Sequence, residues 1–380
     1  MIALLLLALA GPQTSTAARF QHAQALAATG RYELAAAEFR QAAEAQPANP
    51  RAWYALGRAW VGAASESYVE LLGKAPPDSP YVRAVQADGL MRRMQYPAAI
   101  AGFRAALAQQ PDLVSAHTAL AAMYAQLGRQ DWAAKERAAN AGLGCASHPV
   151  ECDFLAGKYD AVLRATAAGA TDAALYWHGQ AATGLGRRAF NKLEQLPPSV
   201  ELHKYRAGVH WEADRRLDVV QDLRAALKLA PADRDLRQQL ASALGAAGFF
   251  EEAYALVHAL LRDAPDSAQL NALAGTALLS MKNAEEAIPF LKKSVALEPR
   301  NLEAQSSLGR AYMDTGDARL ALPFLEAATR VDSDGSLHHL LATAYRRTGQ
   351  PRLAEEAMAK SRELAARSAK PPAQLDIPPP

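Results

Sequence analysis

Large apolar residues recur three and four places apart along almost the whole chain, and among them a small residue returns at a fixed interval. That small residue is Ala23, Gly57, Ala87, Ala121, Ala207, Ala241, Gly275, Gly309 and Ala342, at spacings of 34, 30, 34, 86, 34, 34, 34 and 33 residues, and at Gly57, Ala121, Ala241, Gly309 and Ala342 it stands in a full Leu-(Ala/Gly)-x-x-(Tyr/Leu/Trp) context. A second small residue follows 12 places later in most copies, as Ala35, Ala99, Ala133, Ala253, Ala287, Ala321 and Ala354. Pro47, Pro111, Pro231, Pro265 and Pro299 close five copies, each 24 places after the first mark. Each copy reads as two short helices. Gly30, Gly128, Gly157, Gly248 and Gly349 supply the left-handed residue that ends one helix before the next begins. Segments such as Pro47-Ala48-Asn49-Pro50 and Pro265-Asp266-Ser267 end the pair and offer the next N-cap. The small marks let two helix backbones approach while Leu, Tyr and Phe fill the grooves around them. One pair cannot bury its own apolar face, so neighbours must share a core.

Composition agrees with this pattern. The chain has 380 residues, of which half are hydrophobic and 7% aromatic, which excludes wholesale disorder. Alanine, the strongest helix former, makes up about a quarter of it, so an all-β or sheet-based fold is disfavoured. Lys plus Arg is 41 against 39 Asp plus Glu, and the net charge of +2 provides no pull toward nucleic acid or an anionic membrane.

Taken together, these marks resemble the tetratricopeptide repeat over about residues 19 to 368. The fullest copy is Leu302 to Asp334, where Leu308-Gly309, Tyr312, Gly316, Ala321, Leu325 and Ala328 stand at the family's positions. The resemblance implies an all-α solenoid of antiparallel helix pairs wound into a right-handed superhelix, a non-enzymatic scaffold for protein or peptide partners, and no cofactor. Residues 19–147 and 200–368 read as N- and C-terminal arrays, 148–199 as an irregular helical middle with degenerate repeats, and 369–380 as a Pro-rich disordered tail. Two places break the period. Ser65-Glu66-Ser67-Tyr68 has no glycine turn, so the copy marked by Gly57 is expected to have a shortened or kinked second helix. In the 86-residue interval, Gly157-Lys158-Tyr159 reads as the turn of one degenerate copy, and Tyr176-Trp177-His178 starts another that stops at Leu196-Pro197-Pro198.

The run Met1 to Ala10 is too short to span a bilayer and is followed by small and polar residues, as in a signal peptide over residues 1–18. On that reading the protein is bacterial and periplasmic or secreted; a buried N-terminal helix is the alternative. Cys145 and Cys152, the two cysteines, are spaced closely enough to form a disulfide. With His148 between them and Glu151 or Asp153 beside them, they could instead hold a metal or act as a redox-dependent module, or remain free thiols. Gly184-Leu185-Gly186-Arg187-Arg188-Ala189 fits a dinucleotide-binding pattern by letter, but no strand precedes it. His338 and His339 are adjacent on a helix, so they face apart and are poor joint ligands.

In the repeat family each first helix lines the concave groove, with positions 2, 5, 9 and 12 of a copy facing it. Arg51, Tyr54, Arg58 and Tyr81 form one expected partner-binding set, rich in the aromatic and guanidinium groups of interface hot spots. Lys204 and Trp211 follow, and Arg310, Met313, His339 and Arg346 form a second, cationic set suited to an acidic peptide. A structural assembly subunit that uses its ends or convex face is the competing reading.

Overall fold

A computed structural model describes residues 15–167 and 169–368. The apolar run 1–10 and the segment 369–380 lie outside the described residues. Ser15 caps the first helix by accepting a hydrogen bond from the Ala18 N–H, so residues 16–18, at the end of the expected signal peptide, form the opening turn of that helix. Among the described residues there are helices and no strand, and they divide into two compact units between Tyr205 and Arg206.

The first unit holds α1 (Thr16–Ala28), α2 (Tyr32–Ala45), α3 (Pro50–Lys74), α4 (Pro80–Arg92), α5 (Tyr96–Leu107), α6 (Val114–Gln126), α7 (Gln130–Ala141), α8 (Pro149–Leu155), α9 (Tyr159–Thr166) and α10 (Asp172–Glu194). Helix α11 (Val200–Glu212) runs across the boundary. The second unit continues with α12 (Arg216–Leu229), α13 (Arg234–Ala246), α14 (Phe250–Asp263), α15 (Ala268–Ser280), α16 (Ala284–Leu297), α17 (Leu302–Asp314), α18 (Ala318–Ala328), α19 (Ser336–Arg347) and α20 (Pro351–Ser368).

From α12 to α20 each helix packs on the next, and the first helices α13, α15, α17 and α19 also touch in succession. The small marks are small because of this packing. A Cβ at Gly309 would stand 2.7 Å from Leu325, and Gly275 is covered in the same way by Leu291. Gly316 takes φ +91° between α17 and α18, and where a turn has no glycine a larger residue is forced into the same region, as Lys282 is at φ +67°. Asp233, Ser267 and Asn301 cap α13, α15 and α17 by accepting backbone N–H bonds.

A further lock recurs that the sequence pattern did not announce. Six places after a closing proline, a side chain donates back to that proline's carbonyl: Trp53 to Pro47 at 2.8 Å, His117 to Pro111 at 2.9 Å, Asn271 to Pro265 at 2.9 Å and Gln305 to Pro299 at 2.6 Å. Four residue types do one job. Only the donor and its reach are constrained, which is why no residue letter repeats at this position.

The first unit departs from the repeat in a specific way. Instead of a shortened or kinked second helix after Gly57, α3 is one unbroken helix of 25 residues. With no turn residue at Ser65–Tyr68, nothing stops the helix before Pro76-Pro77. Its partner is α10, another long helix, and this is the most extensive helix pairing in the unit. The two are antiparallel: Phe190 lies on Gly57, Trp60 on Gly186 and Tyr68 on Gly179. In the second unit the residue that covers each of the glycine marks Gly275 and Gly309 lies 16 places further on. The equivalent position after Gly57 is Gly73, which has open space beside it. Phe190 of α10 thus stands where a local second helix would have placed its leucine. The segment between α3 and α10 forms pairs of its own, α4 with α5, α6 with α7, and the short α8 with α9. The sequence from 148 to 199 therefore holds a degenerate pair and then α10, a full-length structural helix.

Candidate functional site: exposed faces of the first helices

In the second unit the side-by-side first helices present one continuous face. Gln238 of α13 donates to Gln269 of α15 at 2.6 Å, and Thr276 of α15 lies 3.4 Å from Ser307 of α17, hydroxyl to hydroxyl. Further along, Arg310 and His339 are exposed, and Arg346 is exposed with one guanidinium nitrogen donating to Thr343 at 3.2 Å. Acidic side chains share the face, since Asp235 and Glu303 are also exposed. Met313 does not belong to it. At 5% exposure it is packed in the core with Leu308, Tyr312, Leu341 and Tyr345. Leu279, at the same position of α15, is likewise buried, whereas Trp211 of α11 and Arg346 of α19 stand at that position and are exposed. Trp211 is 43% exposed, and the Arg216 guanidinium stacks 4.0 Å above its ring.

The tandem histidines part as expected. His338 turns inward to Asp332, its ring Nδ1 2.6 Å from the carboxylate, while His339 stays outside. Burial raises the Asp332 carboxyl, but bonds from the His338 backbone and ring and from the Gly335 N–H outweigh it, so the group is held below the usual range.

In the first unit the expected set splits. Arg51 and Arg58 are exposed, and Arg51 lies over the Phe20 ring at 5.5 Å, bordering an open hollow of about 290 Å³ with Gln24 and Asn49. Tyr54 is half-buried against Phe190, with the Lys204 ammonium 5.8 Å from its ring, and this desolvation raises its phenol pKa. Tyr81 is elsewhere. It packs on Tyr176 of α10 at 5.3 Å, away from Tyr54.

Two further inward positions, Asp88 of α4 and Ser115 of α6, meet the same helix. Asp88 accepts from Gln180 at 2.9 Å, Ser115 shares a buried hydroxyl bond of 2.6 Å with Tyr176, and Ser79 bonds Asp172 at 3.1 Å. Tyr81, Asp88 and Ser115 are thus engaged from within by α10. Enclosure pushes the Asp88 carboxyl up to about 6, against the opposing effects of the Gln180 bond and of Arg92 and Arg187. His117 is bonded at both ring nitrogens, to Pro111 and to Glu136 at 2.6 Å, and the Glu136 carboxylate holds its pKa above the usual value.

Cys145 and Cys152 are joined in a disulfide with Cα atoms 5.6 Å apart, and His148 lies 3.2 Å from Asp112. The bond leaves neither sulfur as a thiolate for a metal. Gly184 and Gly186 are packing glycines, lying under Tyr159 and against Trp60 of α3, so their spacing serves helix contact. Among the described residues no helix is long and apolar enough to cross a membrane, and no cluster of three metal-ligating side chains occurs.

Tetratricopeptide-repeat profiles match residues 20–78 and 239–301 in one form and 278–344 in another. These stretches are tetratricopeptide repeats. The matched stretches cover the start of the first unit and much of the second, where the helix pairs and their glycine crossings have just been described. Among similar solved structures are MamA of Desulfovibrio magneticus RS-1 (21% identity over 45% of this chain and 97% of that one, TM-score 0.39) and MamA of strain MSR-1 (23%, 45%, 98% and 0.38). A thermophilic repeat protein of Thermus thermophilus is similar at 19% identity, over 44% of this chain and 92% of that one, with TM-score 0.37. No curated protein matches this chain.

Proposed function

We infer that the protein is a non-enzymatic scaffold of the bacterial cell envelope, and that the first-helix face of its second unit receives a peptide segment or protein partner. The observation that carries this reading is that face: a row of exposed polar and charged side chains from Asp235 to Arg346, held in register by α13, α15, α17 and α19. A face already ordered before binding loses little freedom when a partner arrives. Arg310, His339 and Arg346 give it a cationic end. Location in an oxidising compartment is supported by the apolar run at residues 1–10 and by the Cys145–Cys152 disulfide. The test is affinity capture from the native host with the full chain, beside an Arg310→Ala, His339→Ala, Arg346→Ala variant of unchanged circular dichroism. A partner held by the parent and lost by the variant supports the reading. Equal capture by both assigns the binding to the ends or the convex side, as in a structural assembly subunit.

A further inference from the structure

The first unit carries a surface that the repeat itself does not explain. Along α3, Tyr54, Arg58, Val61, Ser65, Val69 and Leu72 follow one another at spacings of three and four and share one face of the helix. Val61, Val69 and Leu72 are 43%, 68% and 47% exposed, whereas Ala63, Ala64, Ser67 and Leu71 on the other side are buried. In the regular pairs a first helix spans 12 or 13 residues, so Ser65, Val69 and Leu72 lie in the extra turns of α3, beyond any ordinary repeat groove.

Charge is placed unevenly beside this stripe. Arg58 stands one turn before Val61 and is exposed, while the charge of Arg187 on α10 acts on Asp88. At the far end Lys74 is already paired with Glu70 on its own helix. The stripe thus has an apolar floor about 17 Å long from Val61 to Leu72 and one cationic end.

We propose that this face of α3 docks an amphipathic helix of a partner protein that carries acidic side chains at one end. The docked segment is a helix because Val61, Val69 and Leu72 form a straight floor at helical spacing, which the apolar stripe of a second helix matches along its length. The acidic end meets Arg58, and apolar side chains at i, i+4, i+7 and i+11 cover Val61, Val69 and Leu72. This surface is separate from the second-unit face proposed above.

The test uses the full chain and two labelled synthetic helices of about 18 residues. Both carry leucines at that spacing, one with glutamates flanking them and one with lysines in the same places, and binding is read by fluorescence anisotropy. The acidic helix is expected to bind at least about tenfold more tightly than the lysine helix. Val69→Glu, at an exposed position that leaves the circular dichroism unchanged, should weaken the acidic helix by at least about tenfold, and Arg58→Glu should remove most of the preference. Arg310→Ala should change nothing, which keeps this result independent of the second-unit face. Equal binding of the two helices, or full binding by Val69→Glu, overturns the proposal. So does a dimer of the parent in light scattering that Val69→Glu disperses, because the stripe would then belong to a second copy of the chain.

Discussion

Gly309 and Gly57 are the same device in two regions of one molecule, yet they are satisfied differently. Gly309 is covered by Leu325, from the helix that follows it in the chain; Gly57 is covered by Phe190, from α10, with α4 to α9 in between. The second unit is built from local pairs, each closed by its neighbour in sequence. In the first unit the matching pair is closed across an intervening lobe, and the closing helix also engages Tyr81 and Asp88 of α4 and Ser115 of α6. A glycine at a helix crossing specifies that something large must arrive, and not where in the chain it comes from. One consequence concerns function: exposed first-helix positions remain available in the second unit, while Tyr81, Asp88 and Ser115 of the first unit are engaged by the chain's own helix.

The sharpest way to break that comparison is at Tyr176, which is fully buried between Tyr81, Trp177 and Ser115. Tyr176→Ala should cost about 3–5 kcal/mol. Hydrogen exchange should show the loss in α4, α6 and α10 and leave α13 to α20 protected; equal loss in both units would mean that α10 does not hold the lobe.

Next in size is a pH effect at Asp88. Its carboxyl is raised from 3.8 to about 6 in the folded protein, so folding favours the protonated form. Stability from this group is fully present below about pH 4, falls as pH rises toward 6, and stays low above it, a change on the order of 2–3 kcal/mol. Asp88→Asn should therefore stabilise the first unit at pH 7.5 and flatten its denaturation midpoint between pH 4 and 6. Asp332 in the second unit has the opposite sign: its pKa is lowered, and its contribution disappears as pH falls through the acid range. A variant with the parent's pH profile would show that Asp88 is not a source of the slope.

The smallest effect is a pair of substitutions on one helix. Gly57→Ala puts a methyl 2.5 Å from the Phe190 ring and should cost about 1–3 kcal/mol. Gly73→Ala meets open space and should gain about 0.5–1 kcal/mol in urea unfolding from reduced backbone freedom. The reverse order would place α3 against a local partner instead of α10.

Much of this architecture was legible in advance. The helix pairs, the glycine turns and the cap at Ser267 all follow from local rules that act over a few residues. Arg310, His339 and Arg346 are also exposed on their first helices. Met313 is not, because it packs with Leu341 and Tyr345 of α19, which its own helix does not record. The turns at Met94, Asp214 and Lys282 carried no glycine to mark them, since the surrounding packing imposes their positive φ.

By itself, the sequence determined the all-α class, the repeat, and where each helix needs a close neighbour. Period, propensity and capping are properties of adjacent residues, and no other information is required for them. The tertiary structure decided which neighbour arrives. It made the two irregular intervals the two sides of one pairing between α3 and α10 and joined Cys145 to Cys152, leaving Val61, Val69 and Leu72 bare. Those outcomes depend on the fit between surfaces far apart in the chain, and apolar patterning records the demand for such a fit without naming its partner.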